Sequence, residues 1–323
     1  MTLSPPRSRF AGPADLAAYG PYRNPQRADD PRPLYRFRRR LSADGSTGFQ
    51  AEAGPHPGRY HLYASWTCPW SQRVVLTLAL NGLAGPLSGS PGGFPVNDGA
   101  VVPIHYVDDA RDGRGWAFRE EAGADPVNGF ALLREAYEAT EPGFDGLVNV
   151  PVLWDRKTSQ IVSNDYASLE IDVATQFPGY RSPGVDTYPV EHRAEIDALD
   201  LWLGPAVNHG LTRAAGAGPA ARLARSELLA AFDALDGRLA DGGFLVGRGI
   251  TQADIRLWVS LARYDAAEVG PPLTVFRHLA RYAAWLAELP AFRAGTRWAS
   301  IGGTPSFLDA TDQHQHQHPR RAQ

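Results

Sequence analysis

The chain has 323 residues, of which 43% are hydrophobic, and it carries a formal net charge of -3. This length and apolar content suffice for two modest domains. The small net charge gives no electrostatic reason to expect a nucleic acid or an anionic membrane as a partner. The sequence contains no apolar run of about 18 residues and no secretory h-region, so we expect a cytoplasmic protein that does not enter a membrane.

The first half predicts the element order of a thioredoxin-like domain. Alternation around Tyr60 indicates a strand, and Pro69 suits the first turn of a helix that reaches about Leu80. A loop rich in glycine and proline follows over 82–99. The remaining predicted elements are a strand over 103–107, a helical stretch near 130–139, short strands over 150–154 and 160–162, and a helix over about 164–174.

The chain after residue 188 predicts helices only. Apolar residues recur at three- and four-residue spacing over 191–203, 220–239, 251–264 and 275–289. Thr251 and Asp254 have the spacing of a capping box, which we interpret as a structural feature. The fold class is therefore α/β plus all-α. The predicted limits are an N-terminal extension over 1–55, a thioredoxin-like domain over 56–175, a helical domain over 188–300 and a tail over 301–323.

The tail carries alternating histidines, and no metal site is expected from them. His314, His316 and His318 have the residue type of a weak metal ligand, but structural sites need ligands fixed by more than one element. A disordered polar tail is the favoured interpretation. We expect neither a bound metal nor a tightly bound cofactor.

Cys68 is the single cysteine of the chain and the candidate nucleophile. It stands between a predicted strand and a predicted helix start, where amide groups and the helix dipole stabilise a thiolate. The alternative is an inert buried cysteine, because free cysteines often only pack. Ser71 occupies the position three residues on, so the dithiol of a redox motif is incomplete. A mixed disulfide on Cys68 would need a second small thiol to resolve it, which predicts thiol transfer.

Val150 and Pro151 precede an apolar strand, where a proline cannot donate a ladder hydrogen bond. A cis Val150-Pro151 bond is the expected explanation, because cis is accessible to X-Pro bonds.

These features together resemble the glutathione transferase superfamily, and within it the Xi class of glutathionyl-hydroquinone reductases. The resemblance covers roughly residues 35–265. The stretches that carry it are Ser42-Ala-Asp-Gly45, Phe49-Gln-Ala-Glu-Ala-Gly54, Arg59-Tyr-His-Leu-Tyr63, Cys68-Pro-Trp70, Gly115-Trp116, Val150-Pro-Val-Leu-Trp-Asp155, Ile161-Val-Ser-Asn164 and Ala253-Asp-Ile-Arg-Leu-Trp258.

The resemblance implies roles for particular residues. Cys68 would attack the sulfur of a glutathionyl-hydroquinone, Trp116 would pack on the bound thiol, and the Val150 backbone would pair with its cysteinyl part. The pair that reads the γ-glutamyl end would be Asp165 and Tyr166, where Tyr166 replaces a small hydroxyl. Trp116 as ordinary core and Asp165 as a helix cap remain open alternatives. A homodimer acting on a small aromatic or disulfide substrate is expected.

Other positions depart from the resemblance. Leu147 replaces a basic residue before the Val-Pro segment. Thr212 and Glu268 stand where active-site tyrosines are expected, and the tyrosine-bearing C-terminal segment is shortened to 297–309. Thiol chemistry at Cys68 is therefore a firmer expectation than hydroquinone specificity.

Two further functions stay open beside the Xi-like reductase. One is an omega-like transferase that shares the nucleophile, and the other is a non-catalytic regulatory protein that retains the fold. The thiol cosubstrate is glutathione or mycothiol. Leu147, Tyr166 and a composition in which Lys157 is the one lysine, typical of a G+C-rich genome, lead us to expect better use of mycothiol than of glutathione.

Overall fold

The computed structural model describes residues 9–51, 58–85, 99–177, 179–180 and 184–309. These residues divide into two compact units, one up to residue 185 and one from residue 186. The predicted loop over 82–99 lies largely outside the described residues, as do the tail histidines. Within the ranges described, no helix is both long enough and apolar enough to cross a membrane.

The first unit is built on a four-stranded mixed sheet, as predicted for a thioredoxin-like domain. Its strands are β1 (Tyr60–Ala64), β2 (Ile104–Tyr106), β3 (Val152–Asp155) and β4 (Gln160–Ser163), in the order β2-β1-β3-β4. Strand β1 pairs parallel with β2 and antiparallel with β3, which pairs antiparallel with β4. The helices are α1 (Leu16–Tyr19), α2 (Pro69–Leu80), α3 (Arg134–Thr140) and α4 (Tyr166–Thr175).

Two hydrophobic cores cover the two faces of this sheet. Successive side chains of a strand point to opposite faces, so Leu62 belongs to one core and Tyr63 to the other. Strand β3 repeats the division with Leu153 and Trp154. The core on the Tyr63 side also contains Trp116, and therefore lies where the candidate site residues were expected.

The segment before β1 contributes to both cores. Phe37 lies in the core on the Tyr63 side, while Leu41 lies in the other, and both are buried. Arg38 forms an isolated antiparallel bridge with Ser163 of β4. The described part of the predicted N-terminal extension therefore packs as part of the first unit.

The second unit consists of helices. The main ones are α5 (Arg193–Leu203), α6 (His209–Ala214), α7 (Gly218–Arg238), α8 (Gln252–Tyr264) and α9 (Arg277–Glu288), followed by α10 (Pro290–Ala294) and α11 (Ser306–Asp309). The four helices predicted from spacing correspond to α5, α7, α8 and α9. A π-helical segment over 204–208 joins α5 to α6 and was not predicted.

Helix α8 begins with the predicted capping box, which is confirmed. The Thr251 side chain caps the Asp254 amide while the Asp254 carboxylate accepts the Thr251 N–H at 2.7 Å. That buried carboxylate also accepts the Leu245 N–H at 3.0 Å and the Tyr282 hydroxyl of α9. The box therefore joins three segments of the second unit and has a structural role.

Candidate functional site

Cys68 is the N-cap residue of α2, directly before Pro69 at the first helical position. Its Sγ atom accepts a hydrogen bond from the Ser71 N–H at 3.4 Å. Cys68 is partly exposed. The predicted placement at a helix N-terminus is confirmed, and it directs the Ser71 N–H at the sulfur, an arrangement that favours negative charge there.

The Val150 carbonyl is a second hydrogen-bond partner of the sulfur. The thiol of Cys68 donates to the Val150 carbonyl oxygen at a Sγ-to-oxygen distance of 3.5 Å. The Val150-Pro151 peptide bond is cis, as predicted, and Pro151 leads directly into β3. Two segments that are far apart in sequence thus meet at Cys68.

Trp116 belongs to the same core cluster as Val150, and Cys68 packs against that cluster. Its side chain is 8% exposed, and its Nε1 atom is buried without a hydrogen-bond partner among the described residues. Buried tryptophan N–H groups usually find an acceptor. Ordinary core packing accounts for the burial of Trp116 but gives no acceptor for its N–H group.

Asp165 is the N-cap residue of α4, but its side chain makes no cap hydrogen bond. Its Oδ2 atom instead accepts from Arg38 Nε at 3.2 Å and from the Ser168 hydroxyl at 3.0 Å. Asp165 is buried, whereas the Arg38 side chain is largely exposed. Asp165 therefore occupies the predicted N-cap position, but its carboxylate binds an arginine and not the helix amides.

Tyr166 forms part of an aromatic group that we call the Tyr166 cluster, which consists of Tyr35, Trp70 and Tyr166. The Tyr166 ring stacks on Trp70 with a centroid distance of 4.6 Å and an interplanar angle of 19°. Tyr35 meets Tyr166 edge to face at 5.9 Å. The Arg73 guanidinium lies 4.9 Å from the Trp70 ring and 5.6 Å from the Tyr166 ring. An aromatic surface thus stands at the starts of α2 and α4.

Tyr35 was not predicted as a site residue, because it lies in a segment read as an extension. Burial, followed by electrostatic repulsion from Tyr166, Cys68 and Asp165, raises the pKa of the Tyr35 phenol. It is therefore a protonated hydroxyl near neutral pH, in the same electrostatic environment as Cys68. The one signal in the sequence is that Tyr35 stands two residues before a second aromatic residue, Phe37, which the structure shows to be buried.

The departures noted in the sequence fall in both units. Leu147 is partly buried, directly before Val148, whose N–H donates to the Tyr22 hydroxyl at 3.1 Å. In the second unit, Thr212 is an exposed residue of α6 and Glu268 is exposed with a positive φ of 50°. The residues that the structure describes include no group of three potential metal ligands.

The chain is similar to known glutathione transferases over most of its length. Residues 211–294 match the family described as "Glutathione S-transferase, C-terminal domain". The glutathionyl-hydroquinone reductase PcpF of Sphingobium chlorophenolicum is 32% identical over 239 residues, which cover 73% of this chain and 70% of that protein.

Two solved structures share the fold. The glutathione transferase Xi of Phanerochaete chrysosporium is 27% identical with a TM-score of 0.72, covering 84% of this chain and 90% of that chain. The glutathione-bound structure of YqjG from Escherichia coli K-12 is 28% identical with a TM-score of 0.72, covering 82% of this chain and 86% of that chain.

Proposed function

This chain belongs to the Xi class of glutathione transferases, and from that premise we propose that it is a thiol-dependent reductase whose nucleophile is Cys68. The observation that carries the proposal is the position of the Cys68 sulfur between the Ser71 N–H and the Val150 carbonyl. A thiolate in this place is stabilised by the helix amides while it remains open to a sulfur electrophile.

The proposed reaction has two steps, in which glutathione is the thiol. The Cys68 thiolate attacks the sulfur of a glutathionyl-hydroquinone, so that an S–S bond forms and the bond from sulfur to the aromatic carbon breaks. The aromatic carbon takes the electron pair and a proton, which releases the hydroquinone. A second glutathione thiolate then attacks the mixed disulfide, giving glutathione disulfide and the free Cys68 thiolate. The conjugate is reduced, two glutathione sulfurs are oxidised, and the proton is that of the second thiol.

The name of the relative PcpF supports a hydroquinone conjugate as the electrophile. The glutathione-bound YqjG structure supports glutathione as the thiol. A protonated Tyr35 in the electrostatic environment of Cys68 offers one phenolic hydroxyl within the first unit. The proposed enzyme acts as a homodimer, an expectation that sedimentation velocity tests directly.

Mycothiol is a second candidate for the thiol, and the Tyr166 cluster favours it. The partly exposed rings of Trp70 and Tyr166 offer apolar contact area to a sugar, whereas a γ-glutamyl group calls for polar partners. The Asp165 carboxylate, which would hold an ammonium group, already binds Arg38. These contacts support mycothiol as a candidate cosubstrate independently of the composition of the chain.

The test is a product analysis. The purified protein is incubated with a glutathionyl-hydroquinone and either glutathione or mycothiol, and the hydroquinone and the disulfide are quantified by chromatography. We expect one hydroquinone for each disulfide formed, with no product from a Cys68→Ser control. Absence of product with both thiols would instead favour the non-catalytic regulatory protein.

A further inference from the structure

Arg111 carries a guanidinium group that no carboxylate among the described residues neutralises at ion-pair distance. Arg111 is exposed, and it lies in the loop between β2 and Trp116. The neighbouring Arg114 behaves differently, because its guanidinium pairs with Asp112 at 2.7 Å. Arg114 is therefore paired with a carboxylate, whereas Arg111 has no carboxylate partner among the described residues.

Two aromatic rings hold the Arg111 guanidinium in place. Its Cζ atom lies 4.5 Å from the Trp116 ring centroid and 4.6 Å from the Tyr22 ring centroid. Both distances are within the range of cation-π attraction. A guanidinium that stacks by its face keeps its N–H groups free at the edge, where they match a carboxylate in a bidentate manner.

Tyr22 is itself fixed to the site. Its hydroxyl accepts the Val148 N–H at 3.1 Å, two residues before Val150. A Cβ atom on Gly115 would come within 3.4 Å of the Tyr22 ring, and Gly115 has a positive φ of 90°. The positive φ therefore favours glycine before Trp116, and the Tyr22 ring lies in contact distance of this position. The stacked position of Arg111 is built by contacts that continue to the Val150 segment.

Trp116 provides an independent sign of a missing acceptor. Its Nε1 donor is buried and has no partner in the described part of the chain, although the indole ring is 8% exposed. One residue pair therefore presents an unneutralised cation and an unsatisfied donor, and it does so in the cluster against which Cys68 packs. A ligand that brings an anionic acceptor to this pair would neutralise the Arg111 guanidinium.

We propose that Arg111 binds a carboxylate of the thiol cosubstrate, with Trp116 as its stacking support. This deepens the function proposed above and rests on it. Glutathione carries two carboxylates, whereas mycothiol carries none. Arg111 therefore favours glutathione as the cosubstrate, and it provides a cation in the first unit although position 147 is leucine.

The experiment measures binding and turnover separately. Binding of S-methylglutathione and of its diethyl ester is measured by calorimetry on the Cys68→Ser protein, with and without Arg111→Gln. We expect Arg111→Gln to weaken S-methylglutathione binding by about tenfold to a hundredfold, the usual effect of losing a charge-assisted bond. Binding of the diethyl ester should be unchanged, because it has no carboxylate to lose.

Arg114→Gln is the matched control, since that arginine stacks on Tyr19 at 4.1 Å but is already paired with Asp112. It should leave the preference for the free acid over the ester intact. Equal losses for acid and ester in Arg111→Gln, or no loss for either, would overturn the role of Arg111, as would failure of the Cys68→Ser protein to bind S-methylglutathione.

Turnover is then compared in proteins that retain Cys68. Arg111→Gln should raise KM for glutathione with little change in kcat. Acid-specific binding without turnover in the wild type would refute the reductase and leave the Arg111 inference standing. Turnover in the wild type, together with equal effects of Arg111→Gln on binding of the acid and of the ester, would support the reductase and refute the role of Arg111.

Discussion

The Sγ atom of Cys68 lies 3.5 Å from the carbonyl oxygen of Val150, so the start of α2 and the entry to β3 meet at one sulfur. Sequence separation between the two residues is 82. In the proposed mechanism this sulfur forms the mixed disulfide beside the Val150 backbone. The predictions below concern this sulfur, the groups around it and the fold that supports it.

Replacing Cys68 with serine should abolish turnover and preserve the fold. No second cysteine exists to take over the nucleophilic role. The change alters one partly exposed side chain, so the free energy of unfolding should fall by at most about 1 to 2 kcal/mol. Steady-state kinetics and thermal denaturation check the two parts. Activity retained in Cys68→Ser would indicate an enzyme that activates a bound thiol without a protein nucleophile.

The double substitution Leu147→Arg with Tyr166→Ser should improve the use of glutathione relative to mycothiol. The arginine adds a charge-assisted partner and the serine removes a ring that stacks on Trp70, so KM for glutathione should fall by about tenfold or more. Disulfide-reductase rates at matched concentrations of the two thiols give the ratio. Tyr166→Phe keeps the ring and is the control that should leave this ratio unchanged. An unaltered ratio in the double variant would mean that neither position contacts the thiol.

Asp254→Ala should strongly destabilise the second unit. The buried carboxylate accepts from Leu245, from Thr251 and from Tyr282, and its loss leaves several buried donors without an acceptor. Each unsatisfied group costs about 1 to 3 kcal/mol, so we expect a loss of at least about 3 kcal/mol. Denaturant unfolding measures it. Asp233→Ala, at an exposed position of α7, should change stability by less than about 0.5 kcal/mol. Similar effects of the two changes would refute the structural role of the box.

His61 should make the protein less stable in mild acid. Burial, followed by the nearby charges of His105 and Arg156, holds the pKa of His61 well below its ordinary value of 6.5. The His61 ring is 1% exposed and stacks on His105 at 4.9 Å. Below pH 6.5 the unfolded chain binds a proton that folded His61 does not, so stability falls as the pH is lowered from 6.5 toward the folded-state pKa.

The slope for one such proton is at most about 1.4 kcal/mol per pH unit. His61→Phe should flatten the dependence by about one proton, whereas His192→Gln, at a partly exposed position, should not. Denaturant titrations between pH 7 and pH 5 give the slopes. An unchanged slope in His61→Phe would show that His61 does not cause the acid sensitivity.

Much of the fold was predictable because it depends on local chemistry. Pro69 set the start of α2, the Thr251 to Asp254 spacing set the start of α8, and apolar spacing located the main helices. The short π-helical segment and α6 were missed, because residues 204–214 include Gly204, Pro205 and Gly210, and glycine and proline usually indicate a break in a helix.

Residues of the candidate site could be predicted only where the local sequence around them is distinctive. Cys68 and the Val150-Pro151 bond were found from their local sequence. Tyr35 and Arg111 were not, since each belongs to a segment without periodicity and gains its meaning from partners distant in the chain. Such contacts are tertiary, and residue spacing in the sequence does not predict them.

The measurement that tests the central claim most directly is the intact mass of the protein after incubation with a glutathionyl-hydroquinone and no free thiol. We predict one added glutathionyl group in each chain, located on Cys68 by peptide mapping and removed by added glutathione with release of its disulfide. Released hydroquinone should equal the adduct in amount. Hydroquinone release without any adduct, or an unmodified protein that releases none, would contradict a Cys68 nucleophile.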